Sequence, residues 1–418
     1  MRVLKICVRR GAARACRRQI SEHWRPLRLI QVDVDSLGDA VLPEMAADDR
    51  VWVEMVKRGQ VVGVREVRAE RGTLPLAVLE ELAARFSDVT PWPYREIAEE
   101  LLPTASVVVA TICREPGRLA RTVDALVALD YPDFEIIVVD NRSGGGEPLP
   151  EFSGGARVLV TEEPQPGISA ARNRGVAAAR GEFVAFTDDD VVVDREWLRV
   201  MGARFAHDTE VEAVSGLVLP AELETQPQLW FEEFYGGFSR SFVAEILSSQ
   251  RTAGTDELFP YAPGRFGAGC NMAFRRSTLQ RMGGFDVALG TGTPARGGED
   301  LAMFTRLIVA GATIAFEPAA LVRHTHRRTE EEFLRQVFNY GTGLTAMYTA
   351  LITSDPRRLL AMVRRIPAGV RLLTRPRAQR SASLAPSYPS RALLYQALGI
   401  AYGPFAYARS AVRTWRSK

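Results

Sequence analysis

Three adjacent carboxylates, Asp188, Asp189 and Asp190, close an apolar run in "FVAFTDDDVVVDREWL". Side by side they repel one another, so they are either solvated acids at the start of a helix near Arg195, favoured there by the macrodipole, or they hold a cation. Hard divalent cations bind through one or two carboxylates while substrate phosphates complete the shell. Such an ion would screen the triplet and neutralise charge on a leaving diphosphate.

A second acidic pair, Glu299 and Asp300, follows Gly297 and Gly298 in "GGEDLAMFTRLIVAGATIAF". A carboxylate fixed at that glycine-flanked mouth can act as general base toward a hydroxyl, or merely cap a helix. Two histidines, His324 and His326 in "LVRHTHRRT", stand two apart and point the same way if the chain is extended. A neutral imidazole there can complete a metal shell; otherwise both are surface residues.

The elements that must position these groups begin at Ser106. "SVVVATI", "FEIIVVD", "ARVLVT" and "EFVAFTD" read as buried strands, and "RLARTVDALVAL" and "ISAARNRGVAAA" as helices between them. Strands apolar on both faces and separated by helices imply a mainly parallel α/β sheet. Ligands of such sheets bind beyond the strands' carboxyl ends. The first strand ends at Thr111 with Arg114 close behind, and the second at Asp140 followed by Asn141. Asp140 suits the ring N–H of a base, with Thr111 and Arg114 closing the slot. Arg172 and Asn173 lie on a helix opened by Gly167, where the guanidinium and the helix N-terminus attract a diphosphate. For each of these the alternative is ordinary: a turn acid, or a solvated arginine.

Composition narrows the field. A chain of 418 residues with 46% hydrophobic content is a folded globular protein, and a net charge of +3 gives no reason to expect nucleic acid. The only lysines are Lys5, Lys57 and Lys418, none in a phosphate-binding P-loop, and no GxGxxG follows the first strand. Cys7, Cys16, Cys113 and Cys270 are scattered without a CxxC pair, which suggests no zinc ribbon or disulfide framework and fits a reducing cytoplasm. The basic N-terminus lacks the apolar core of a secretory signal.

Three regions are expected: residues 1–100, a basic leader and a small α+β domain; residues 101–330, the nucleotide-binding α/β domain; and residues 331–418, a basic helical region. In the first, "LPLAVLEELAARFS" has Leu76, Leu79 and Leu82 at helical spacing. In the last, no Asp or Glu occurs from Pro356 to Lys418, and "RRLLAMVRRIPAGVRLL" is a basic amphipathic pattern of the kind that binds anionic membrane surfaces. "ALLYQALGIAYGPFAYA" is too short to span a bilayer and should break at its Gly-Pro. The aromatic-rich residues from Leu229 to Phe266 lie between the triplet and the Glu-Asp pair, either shaping an acceptor side or forming a surface loop.

Taken in order, "VVVATICREPGRLARTVDAL", "EIIVVDNRS", "PGISAARNRG", "VAFTDDD" and "GGEDLAMFTRL" resemble the motifs of family 2 inverting glycosyltransferases of the GT-A fold. The resemblance covers about Ser106 to Arg328. It implies that Thr111, Arg114, Asp140 and Asn141 contact the nucleoside, that Arg172 and Asn173 lie near the diphosphate, and that Asp188 and Asp189 face the ribose and donor sugar. It further implies that Asp190, with Asp188 and His324, binds Mn²⁺ or Mg²⁺ and that Asp300, paired with Glu299, is the catalytic base. Partners would be a nucleoside diphosphate sugar, a saccharide or lipid-linked acceptor, and a membrane surface at the inner face of the plasma membrane. Two departures stand out. The first motif has "ATICRE" where an aromatic turn is common, and no Gln-Arg-Trp type motif follows the Glu-Asp pair, which points to transfer of a single sugar. A sugar-1-phosphate nucleotidyltransferase or a non-catalytic nucleotide-sugar-binding module are the other classes with this pattern of acids.

Overall fold

The computed structural model describes residues 25–37, 46, 49–144, 146–238, 241–252, 257–368, 371 and 388–416. The basic leader and the tail arginines Arg375, Arg377 and Arg380 fall outside them.

The chain opens with a three-stranded sheet: β1 (Arg28–Asp33) pairs parallel with β2 (Arg50–Lys57), and β2 antiparallel with β3 (Gln60–Arg68). Alternation along β2 divides its side chains between two surfaces. Val51, Val53 and Met55 pack on Leu79 and Leu82 of α1 (Leu76–Phe86), while Trp52 packs on Leu223 and Leu229 of the larger domain. Leu76, expected on the buried face of α1, is exposed; it is the helix's first residue and precedes the turn that meets the sheet.

The larger sheet has the order β10-β12-β9-β11-β7-β4-β5-β6, with β8 paired to β12. Its members are β4 (Ala105–Thr111), β5 (Phe134–Asp140), β6 (Val158–Glu162), β7 (Phe183–Asp188), β8 (Val191–Val193), β9 (Val211–Pro220), β10 (Glu245–Leu247), β11 (Met272–Arg275) and β12 (Thr313–His324). Strands β4, β5, β6, β7, β9 and β12 run one way, while β8, β10 and β11 run against them. The sheet is covered on both faces, which is why its central strands are apolar throughout. Val107 and Val109 of β4 face α2 (Pro116–Val127) and α4 (Trp197–His207), whereas Val108 faces α3 (Ile168–Ala178) and α5 (Glu299–Val309).

Among the described residues after the large sheet lie α6 (Glu330–Ser354), α7 (Arg358–Val363) and α8 (Arg391–Arg416). Helix α6 starts at a capping box in which Thr329 and Glu332 satisfy each other's backbone N–H groups. The break expected at Gly403-Pro404 does not occur, and α8 runs straight through Pro404. Proline leaves the carbonyl four residues earlier without a donor; here the Thr345 hydroxyl of α6 donates to the Ile400 oxygen at 2.8 Å. No described helix is long and apolar enough to cross a membrane.

Candidate active site

Because six strands run the same way, their last residues collect along one edge of the sheet. Thr111, Asp140, Asp188 and His324 each end a strand, of β4, β5, β7 and β12 respectively. His324 is nevertheless several strands away from Asp188 in sheet order. The triplet closes that gap: after Asp190 the chain enters β8, which pairs antiparallel with the end of β12 so that Val191 faces His324. The three acids thus sit at a strand-to-strand turn, and the helix that follows, α4, begins only at Trp197. A helix-start role for the triplet is thereby overturned.

Each acid of the triplet has its own neighbour. Asp188 accepts from the Arg172 guanidinium at 3.2 Å. Asp189 accepts from the Thr111 hydroxyl at 2.5 Å, and burial pushes its carboxyl up to about 6. Asp190 lies 3.4 Å from His324 Nε2 and 3.7 Å from Arg327, and burial raises its carboxyl as well. His324 is buried and held neutral, its pKa pushed down to about 3 by desolvation and by His326.

His324 and His326 do point to the same side, their rings 5.4 Å apart, and both are buried rather than on the surface. Their partners differ. His326 Nε2 meets Glu232 at 2.5 Å, and Phe231 and Phe238 stack around the pair. The segment from Leu229 onward therefore includes fixed structure: Trp230 and Phe231 are buried against Phe333 of α6.

The second acidic pair begins α5, with Gly298 in the left-handed conformation at φ 86° just before it. Glu299 turns inward and accepts from Arg172 at 2.8 Å; burial and the adjacent Asp300 push its carboxyl up to about 7. Asp300 accepts from the Gly269 N–H at 2.8 Å and from the Leu301 N–H at 2.8 Å, and burial raises it above the ordinary carboxylate value. Arg172 joins the two acidic groups. It is only 2% exposed and donates to Asp188, to Glu299 and, at 3.0 Å, to the Gly269 carbonyl. The arginine expected at the diphosphate is thus committed to carboxylates.

The asparagines likewise hold loops. Asn141 donates to the carbonyls of Glu163 and Gln165 and accepts from the Gly167 N–H, which fixes the entry to α3. Asn173 exchanges two hydrogen bonds with the Phe285 backbone. Asp140 is clamped by Arg142, which lowers its pKa, and Arg114 is exposed. Arg142, Arg327 and Gly269 were not among the expected site residues. Arg142 directly follows Asn141 and Arg327 directly follows His326, both of which were, and that nearness is the only signal the sequence carries.

A divalent cation fits Asp190 and His324 in part. Two cis ligands of an octahedral ion, each roughly 2.1 Å from it, stand about 3 Å apart, close to the observed 3.4 Å. The imidazole is neutral, as a ligand must be. His324 Nδ1 is buried without a hydrogen-bond partner among the described residues. No group of three or more described His, Cys, Asp or Glu side chains could hold an ion, so the remaining positions would fall to substrate and water.

Residues 106–283 match the model of glycosyl transferase family 2. Among similar curated proteins are the pre-mycofactocin glycosyltransferase of Mycobacterium tuberculosis, 30% identical over 56% of this chain and 45% of that protein, and the succinoglycan biosynthesis protein ExoM of Rhizobium meliloti, 31% identical over 49% and 62%. The glucosyl-dolichyl phosphate glucuronosyltransferase of Haloferax volcanii is 27% identical over 44% and 56%. The chain spans about half the length of the curated relatives it matches. Among solved structures, the mannosyltransferase PcManGT from Pyrobaculum calidifontis, in complex with GDP-Man and Mn²⁺, superposes with a TM-score of 0.46 at 21% identity, covering 82% of this chain and 95% of that one.

Proposed function

We propose, for a chain whose residues 106–283 match the model of glycosyl transferase family 2, that it transfers one sugar from a nucleoside diphosphate sugar to an acceptor hydroxyl with inversion. The observation that carries this reading is the Arg172 clamp. It joins Asp188, at the donor end of the sheet, to Glu299, while the Gly269 it also binds donates to Asp300. Donor-facing acids and the base therefore belong to one cluster, as an in-line displacement requires.

In that reaction the acceptor oxygen bonds to the anomeric carbon as the bond to the diphosphate breaks. The electron pair leaves with the diphosphate, and the hydroxyl proton passes to Asp300. Burial makes Asp300 a stronger base than a solvated aspartate. Two backbone N–H groups fix its orientation, and holding both substrates in line supplies much of the rate. Asp140, Thr111 and Arg114 border the nucleoside slot, and Asp188 and Asp189 face the ribose and sugar. Asp190 and His324 would hold Mn²⁺ or Mg²⁺, which when bound neutralises charge on the departing diphosphate.

One relative is named for glucosyl-dolichyl phosphate and another for succinoglycan biosynthesis, which supports a glycan or lipid-linked acceptor of the cell envelope. The basic C-terminal helices favour a peripheral seat on the cytoplasmic face of an anionic membrane. The test is a screen of nucleotide sugars with Mn²⁺, read by donor hydrolysis and by thermal stabilisation. Asp300→Asn should abolish transfer and keep donor-induced stabilisation; retained turnover would overturn the assignment of the base.

A further inference from the structure

Helix α8 has two apolar faces, and among the described residues only one is covered. The covered face is made of small residues, with Ala392, Gly399, Gly403, Ala406 and Ser410 buried against α6. The contact is close: a Cβ at Gly399 would lie 2.1 Å from the Phe338 carbonyl oxygen. The other face is large and exposed, running Leu394, Leu398, Phe405, Val412 and Trp415, with Ala401 and Ala408 filling the gaps. Successive members are four and three residues apart, a spacing that keeps all of them on one side of a helix. Leu394 is 57%, Phe405 63% and Trp415 77% exposed.

Charge decides what suits this face. Arg409, Arg413 and Arg416 each follow a stripe residue by one position and therefore border it, and no acid occurs from Pro356 to the end of the chain. A second copy of α8 laid on the stripe would bring arginines against arginines with no carboxylate on either helix. Anionic headgroups supply the missing charge, and acyl chains the missing apolar cover. Trp415 suits the boundary between them, where amphipathic rings settle. Helix α7 and the residues just after it repeat the combination, with Leu359, Leu360, Val363 and Ile366 exposed near Arg357 and Arg364.

We infer that α8 lies in the interfacial layer of an anionic bilayer, with its Leu394-to-Trp415 face among the acyl chains and its arginines at the phosphates. This rests on the peripheral membrane seat proposed above and gives it a mechanism, insertion rather than attraction alone. It also bears on the acceptor. Helix α6, which carries α8, packs through Gly343 against Gly297 and Gly298 at the start of α5, so a single helix lies between the membrane seat and the helix that bears Asp300.

The test uses the full chain and vesicles of phosphatidylcholine with phosphatidylglycerol, at low salt and at about 0.5 M NaCl, where surface attraction is screened. Binding should persist at high salt, and brominated acyl chains should quench emission that disappears in Trp415→Phe. The paired substitution Leu398→Ser with Phe405→Ser, on exposed positions, should lower salt-resistant binding by about tenfold or more with an unchanged thermal midpoint. Complete release at high salt, with the paired variant binding like the parent, overturns insertion and leaves an electrostatic seat. Absence of binding at any salt overturns both. A concentration-dependent dimer abolished by the paired variant assigns the face to a second copy instead. Trp415 shielded from acrylamide without vesicles means that residues outside those described already cover it, which also overturns the inference.

Discussion

Arg172 sits between carboxylates that the chain separates by 16 and by 127 residues. Its burial is tolerable only because three acceptors surround the guanidinium. Arg172→Ala should therefore destabilise the fold by about 3–5 kcal/mol, since Glu299 loses its partner in a buried site; chemical denaturation measures this, and a loss under about 1 kcal/mol contradicts the clamp. The same burial sets the pH dependence of the base. Asp300 must be ionised to accept a proton, and its carboxyl is raised by desolvation, so kcat/KM should climb with pH on a limb centred above the ordinary aspartate value and stay flat once the carboxyl is ionised. A pH–rate profile with a limb at or below that value would show that the base is not buried in the working enzyme. The triplet and the Glu-Asp pair are legible in the sequence because clustered acids are rare behind an apolar run. Arg172 is not, because nothing local distinguishes an arginine that faces a phosphate from one that faces two acids brought in by distant strands. The asparagines illustrate the same limit, since amides that look available on paper are consumed by the loops of Gln165 and Phe285.

The elements themselves were readable where burial on both faces wrote a continuous apolar run, as in β4, β5 and β7, or where glycine marked an entry, as before α3 and α5. What escaped was the use of short pieces. Three-residue β8 carries no period of its own, yet it is the strand that delivers Asp190 to His324. Pro404 escaped for the opposite reason: its local signal is strong and is overridden by a partner. Proline inside a helix costs about 3 kcal/mol in isolation, and part of that cost is the orphaned carbonyl of Ile400, which the Thr345 hydroxyl caps across the seam. Thr345→Val should leave that oxygen unpaired and lower stability by about 1–3 kcal/mol. In a Pro404→Ala background, which restores a backbone donor, the same substitution should cost less than about 1 kcal/mol. Equal losses in both backgrounds would mean that the hydroxyl does not serve the proline.

At the scale of the molecule, the N-terminal unit was expected to be a separate small domain, and its sheet does have its own apolar core with α1. Its second face is committed elsewhere. Val61 of β3 packs with Leu217, Leu219 and Leu321 of the larger sheet, and the Leu27 N–H donates to the Leu223 carbonyl at 2.9 Å. At the centre of this contact Glu54, on β2 and only 1% exposed, accepts two hydrogen bonds from Arg323 of β12 at 2.9 and 2.7 Å. Arg323 immediately precedes His324, so the small sheet braces the strand that ends at the site. Sequence pattern could not show this, because a strand facing a second sheet alternates in the same way as one facing solvent with a few apolar residues. The bidentate pair predicts cooperative unfolding. Glu54→Gln and Arg323→Gln should each lower a single transition shared by far-UV and near-UV signals, and a double-mutant cycle should return a coupling of about 1–3 kcal/mol. If instead Glu54→Gln splits the melt, with an early phase confined to the N-terminal sheet and the later midpoint unmoved, the two units fold independently and the brace on His324 has no energetic weight.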